Sequence, residues 1–243
     1  MGPKRADHRQ RKERVLGIVV REYTRTVTPV SSGHITRQHL RDLSSATVRN
    51  ILAELESDGL LTHPHTSAGR IPTQDGYRFY VDNLMEEIAL LEEHKRIIRK
   101  EYQRERQNLE HLLEKTSEVL SDLTHYTTIV TMDGERRIYC NGTRYVVEYP
   151  DYQDIQQIRS ILSLLEEKER LLKLINRELQ RKIEIFIGQE IACRDVVGCA
   201  MAVSRYRTHK GASGRIAILG PARMDYQRVV SAMDYLSELM EEI

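Results

Sequence analysis

From Asp82 to about Thr124 the chain contains neither proline nor glycine, and apolar residues recur along it in alternating steps of four and three. Positions 84, 88, 91, 95, 98, 102, 105, 109, 112, 116, 119 and 123 read Leu, Ile, Leu, Lys, Ile, Tyr, Glu, Leu, Leu, Thr, Val and Leu, and the residues between them are mostly charged. A heptad stripe free of helix breakers predicts one long helix. Its stripe must be covered, either by its own chain or by a second copy. Lys95 and Glu105 on the stripe argue against a uniformly dry seam, so part intramolecular and part dimer contact is expected. The run divides the chain into a head over residues 1–80, a connecting helix with a possible dimer contact over 81–124, and a body over 125–243.

In the head, Leu16, Val19, Val20 and Tyr23 fall at i, i+3, i+4 and i+7, one face of a helix over residues 10–24. Thr28-Pro29 through Gly33 stops it, and a short helix follows around Ile35–Arg41. Ser44 is a good N-cap for a third helix running through Ser57 and closed by Asp58-Gly59. Leu60-Leu61-Thr62 reads as a strand, His63–Gly69 as a loop, and Arg70-Ile71-Pro72 as the returning strand. Helix, short helix, helix and hairpin is the order of a winged helix-turn-helix. The charge distribution agrees with that reading. Residues 1–80 carry 13 Lys and Arg against 8 Asp and Glu, an excess of five, and since the whole chain is +1 the remainder is −4. A basic head suits a module that meets phosphates.

The body is β-rich over Tyr126–Thr131 and Arg137–Tyr149, with turns at Asp133-Gly134 and Asn141-Gly142, the second a strong hairpin signal. Asp151–Arg181 is apolar-periodic and predicts a helix. Ile183, Ile185 and Ile187 alternate as a strand, Cys199–Arg205 and Arg215–Leu219 are two more, and a closing helix runs from about Tyr226 to Glu242. The class is α+β with a mostly antiparallel sheet.

If the third helix buries Val48, Ile51, Leu52 and Leu55, its wheel places Ala46, Asn50, Ala53 and Ser57 opposite, with Thr47 and Arg49 on the flanks. A recognition helix enters the major groove by its N-terminal half, which makes Ser44, Ser45, Ala46, Thr47, Arg49 and Asn50 the candidate DNA contacts. Asn can pair bidentately with adenine, Arg with guanine, and Ala or the Thr methyl can touch a thymine methyl. Ser31 and Ser32, at the start of the short helix, are candidate phosphate donors. His65 and Arg70 would serve the same role from the hairpin, Arg70 in a wing that enters the minor groove or grips its phosphates.

These residues lie in a specific pattern. Leu43-Ser44-Ser45-Ala46-Thr47-Val48-Arg49-Asn50, Leu55-Glu56 and Gly59-Leu60-Leu61 lead into His65-Thr66-Ser67-Ala68-Gly69-Arg70-Ile71-Pro72-Thr73, Gly76-Tyr77-Arg78 and Tyr80-Val81-Asp82. At the far end stand Gly220-Pro221-Ala222-Arg223-Met224-Asp225-Tyr226, Arg228-Val229 and Asp234-Tyr235-Leu236. Over nearly its whole length the chain resembles the heat-inducible transcription repressors of the HrcA family. The resemblance implies a winged helix-turn-helix, a GAF-like domain behind it, a homodimer on an inverted-repeat heat-shock operator (CIRCE), and a chaperonin that keeps the repressor active. Between about Val130 and Arg136 the family's usual middle section is missing, so the GAF-like α/β domain is expected to be shortened. Ser45 stands where proline is common, and either residue suits a first helical turn.

Other signals point to plainer roles. Cys140, Cys193 and Cys199 have no C-x-x-C partner, which excludes a disulfide framework and a zinc finger; the two later ones read as small buried apolar residues. His63-Pro64-His65 reads as loop rather than metal ligand, Gly220-Pro221 as a strand-to-helix turn capped near Asp225, and no cofactor or metal is expected. No nucleophile–base pair or carboxylate pair marks an enzyme. Val15–Val20 is too short for a signal or a membrane span, and a cytoplasmic location is expected. The competing regulator is a repressor controlled by a small ligand in the GAF-like domain.

Overall fold

A computed structural model describes residues 3–64, 69–86, 88–105, 108–152 and 154–242. The chain forms two compact units, Met1–Glu86 and Glu87–Ile243.

The first unit runs α1 (Pro3–Thr26), α2 (Ser32–Gln38), α3 (Ser45–Ser57), β1 (Leu61–Thr62), β2 (Ile71–Pro72) and α4 (Gln74–Asn83). The starts of α2, α3 and α4 are each capped by a hydroxyl: Ser31 accepts from the His34 amide, Ser44 from Thr47 and Thr73 from Gly76. At the end of α3, Gly59 takes a φ of 75°, its amide donates to the Glu56 carbonyl, and the Leu60 amide donates to that of Leu55. This is the Schellman closure that a glycine permits. Val15, Leu16 and Val19 of α1, Ile35 of α2, and Val48, Ile51 and Leu55 of α3 are almost fully buried, joined by Leu61, Tyr77 and Tyr80. The β1–β2 ladder pairs Leu61 with Pro72 and Thr62 with Ile71, and Val30 and Arg70 exchange two backbone hydrogen bonds of 2.9 Å beside it.

In the second unit come α5 (Glu92–Glu105), α6 (Leu109–Thr124), β3 (Thr127–Met132), β4 (Ile138–Asn141), α7 (Tyr145–Glu148), α8 (Ile155–Glu166), α9 (Lys168–Ile175), β5 (Ile183–Ile187), β6 (Cys199–Arg207), β7 (Ser213–Pro221) and α10 (Tyr226–Glu241). Its sheet is wholly antiparallel in the order β4-β3-β7-β6-β5. Ile129, Met201, Val203, Ala217 and Leu219 point from one face into a core shared with Ile161, Leu164, Leu171 and Ile175 of α8 and α9. α6 and α10 pack on the sheet as well, and Ser204, which alternates with Val203 to the opposite face, meets Ser237 of α10 at 3.5 Å.

Three expectations need correction. The single helix over 82–124 is instead α5 and α6, folded against each other. The Tyr102 hydroxyl bonds Thr116, whereas one continuous helix would hold these residues about 21 Å apart. Asn108, with φ −120° and ψ 108°, opens α6 by accepting from the Glu110 and His111 amides. Folding back buries Ile98, Tyr102, Leu112, Leu113 and Leu120, the reward a lone helix lacks. Asn141-Gly142 likewise makes no hairpin. Asn141 donates to Ser117 of α6 at 2.7 Å, and Gly142, with φ 80°, turns the chain into the short α7; the β3–β4 connection holds Asp133-Gly134. Finally, the helix expected over 151–181 breaks at Glu167, whose ψ of 76° separates α8 from α9.

The C-terminal motif has a structural role. Arg223, 7% exposed, clamps Asp151 through Nε at 2.7 and 2.9 Å and through Nη2 at 2.6 Å. Asp225 accepts from the Arg228 amide to cap α10, as the sequence suggests. Cys193 and Cys199 are buried, and burial pushes the Cys199 thiol up to about 12.

Gly76 tests the packing of the first unit, because a Cβ there would lie 2.1 Å from the Leu60 carbonyl oxygen. Gly76→Ala is expected to destabilise the head by about 1–3 kcal/mol, the usual cost of overpacking, read as a lower midpoint in urea denaturation.

Candidate nucleic-acid interface

The apolar stripe of α3 faces inward, so its outer face is set. Ala46, Arg49, Asn50 and Ala53 are exposed, and Thr47 is partly so. Neither Arg49 nor Asn50 has a hydrogen-bond or ion-pair partner among the described residues. At the N-terminus of α3 the serines serve the fold and the surface together. Ser44 caps Thr47 with its oxygen at 3.0 Å, and the two hydroxyls lie 2.8 Å apart. Ser32 of α2 meets Ser45 of α3 at 3.2 Å, which ties the two helices, while the exposed Ser31 caps α2. Ser31, Ser32, Ser44 and Ser45 thus gather where two helix N-termini come together.

The acidic residues of α3 all lie in its C-terminal half, and each is engaged. Glu54 has His8 at 2.8 Å and Lys12 at 3.5 Å, and Lys12 also reaches Asp58 at 2.6 Å. The hydrogen bond to Asp58 raises the Lys12 pKa in spite of partial burial, and the hydrogen bond with His8 lowers that of Glu54. Glu56 takes His63 on one carboxylate oxygen and Arg70 on the other, the second at 2.7 Å. Negative charge is therefore confined to one end of α3 and matched there. The other end has no acidic residue in its first turn and presents free backbone N–H groups, which favours an anion.

Arg70 lies in the hairpin, as expected, and has a partner within the fold. Its side chain is 23% exposed and joins the base of the hairpin to α3 through Glu56, and its Nε is buried with no partner. Gly69 beside it lets the hairpin close on the preceding loop, since a Cβ there would lie 2.5 Å from the Val30 carbonyl carbon. His65 lies outside the described residues. The sequence reading missed Glu56 as the hairpin's anchor, and it did not weigh Arg37 and Arg41, which are exposed on α2 and in the turn that leads to α3. Basic residues in the segment between two short helices were the available signal.

Residues 131–230 match the family model described as the HrcA protein C-terminal domain. The heat-inducible transcription repressor HrcA of Desulforudis audaxviator is 27% identical, with 96% of this chain and 97% of the relative covered. That of Carboxydothermus hydrogenoformans is 26% identical, with coverage of 96% and 97%. The chain is thus similar to HrcA repressors over nearly its whole length. Alignment to the first HrcA relative runs over 334 positions against a chain of 243, so at least 91 positions have no counterpart here. These relatives are therefore longer than this chain. Its fold is shared with a solved structure titled a hypothetical protein at 2.2 Å resolution, with a TM-score of 0.72, 18% identity and 95% of both chains covered. HrcA proteins are transcription repressors, which is not a class of enzyme. No described helix is long and apolar enough to cross a membrane.

The Glu56 junction yields a prediction. Glu56→Gln should loosen both His63 and Arg70 and destabilise the hairpin by roughly 1 kcal/mol, since the pair is only partly exposed. Hydrogen exchange should quicken at Thr62 and Ile71, the hydrogen-bonded pair of this ladder, and stay unchanged in the sheet of the second unit.

Proposed function

We propose that the first unit is a winged helix-turn-helix and that this chain represses heat-shock chaperone genes by binding an inverted-repeat operator of the CIRCE kind as a homodimer, under the influence of a chaperonin. The observation that carries the DNA-binding part is the outer face of α3. Arg49 and Asn50 stand unpartnered beside a serine-lined helix N-terminus, while the acidic residues of the same helix are neutralised by α1 and the hairpin. In this reading Ala46, Thr47, Arg49 and Asn50 meet base edges, Ser31, Ser32, Ser44 and Ser45 meet phosphates, and Arg70 braces the hairpin wing. The second unit serves as a shortened GAF-like regulatory and dimerisation domain, a role supported by its family match and its helix-covered antiparallel sheet.

Titration of operator and scrambled duplexes at several salt concentrations tests the reading. Asn50→Ala and Arg49→Ala should each lose roughly 1–3 kcal/mol of discrimination per lost base contact. Ser44→Asp should keep the cap and the fold yet weaken binding to both duplexes, because it sets a negative charge where a phosphate would sit. Operator binding equal to wild type in Asn50→Ala would remove this placement of α3.

The dimer is tested at the start of α5, where Leu91 and Ile97 are 66% and 51% exposed, whereas Ile98 is fully buried within the unit. Leu91→Lys combined with Ile97→Lys should shift the chain from dimer to monomer in sedimentation and weaken binding to a full inverted repeat far more than to a half-site. A double variant that remains dimeric would place the seam elsewhere.

A further inference from the structure

Two ends of α2 converge on one carboxylate of α1. His34, in the first turn of α2, brings Nε2 to 3.0 Å from Glu22 Oε2, and His39, the C-cap of α2, brings Nε2 to 3.4 Å from Glu22 Oε1. All three ligand atoms lie within 4.8 Å of one another. Glu22 is rooted in the core, its side chain 11% exposed, while those of His34 and His39 are 41% and 32% exposed. The imidazoles thus form the open side of a pocket with a buried acidic base.

Neutral imidazoles could simply donate to the carboxylate, but the spacing also suits a cation. Bonds of about 2.0–2.1 Å to nitrogen and oxygen in a tetrahedral sphere put neighbouring ligand atoms roughly 3.3 Å apart, close to the 3.0 and 3.4 Å that separate the Glu22 oxygens from His34 and His39. Borderline-soft imidazole nitrogen with one carboxylate oxygen suits zinc-like transition ions better than magnesium or calcium. We propose that Glu22, His34 and His39 form a binding site for a divalent transition metal of the zinc type, with water in the fourth position.

Arg25 shares this carboxylate. Its Nη2 lies 3.2 and 3.0 Å from the two Glu22 oxygens, on a side chain that is 70% exposed and free to swing into solvent. Arg25 therefore acts as a built-in competitor: the metal displaces it, and its loss favours the metal. The ion would stitch α2 to α1, and α2 in turn holds α3 through Ser32 and Ser45. Uptake of metal does not depend on the DNA-binding reading and can be measured without DNA.

The test uses the full chain, freed of metal by a chelator and titrated with Zn²⁺ by calorimetry and with Co²⁺ by visible absorption. A single ion per chain is expected, with intense tetrahedral d–d bands for cobalt and a raised melting temperature. His34→Gln and His39→Gln should each weaken uptake by at least about tenfold. Arg25→Ala, a change at an exposed side chain that leaves the fold intact, should tighten uptake severalfold. His63→Gln, which alters the other histidine–carboxylate pair of this unit, should leave uptake unchanged. No uptake by the wild-type chain, uptake that survives His34→Gln combined with His39→Gln, uptake lost in His63→Gln, or an Arg25→Ala affinity no tighter than wild type would each overturn the proposal.

Discussion

Four aliphatic side chains hold α3 in place: Val48, Ile51, Leu52 and Leu55, none more than 5% exposed. Burying each is worth about 1.5–3 kcal/mol, more than the roughly 1 kcal/mol of a typical hydrogen bond, so this stripe and not the polar contacts sets the rotation of the helix. Once the rotation is set, the outer face is decided, and Arg49 and Asn50 must look outward. The polar contacts do a different job. His8, Lys12, His63 and Arg70 match the acidic C-terminal half of α3, which leaves the opposite end as the part of the helix that favours an anion.

The second unit answers a harder problem, since a sheet must be covered on both faces. The core on one face comes from α8 and α9, and α6 and α10 pack on the sheet as well. The folding of α5 onto α6 completes this cover by using a stripe that would otherwise need a second chain. The Arg223–Asp151 clamp and the Asp225 cap then fasten the strand-to-helix turn at the far end. A segment that resembles a family signature thus earns its place here by holding the fold, with Arg223 also lying over the Tyr149 ring at 5.3 Å.

Much of this was determined by the sequence alone, because the causes are local. Ser31, Ser44 and Asp225 cap the helices that follow them, Gly59 ends α3 by taking a positive φ, and the alternation at Ile183, Ile185 and Ile187 makes a strand, all through interactions within a few residues. The inward stripe of α3, and hence its outward residues, follows from helical periodicity by the same logic. Tertiary structure decided whatever depended on distant partners. A heptad stripe is equally served by a second subunit or by a turn back on itself, and only the meeting of Tyr102 with Thr116 selects the turn. Asn141-Gly142 permits a hairpin, but the bond to Ser117 on α6 draws the chain another way. The partner of Arg70 is likewise beyond any local pattern, because Glu56 comes beside it only when the hairpin packs on α3. Glu22, His34 and His39 have no motif spacing at all. They become a set only because α1 and α2 pack against each other, each burying apolar residues such as Leu16, Val19 and Ile35, and that packing brings three polar groups to one point.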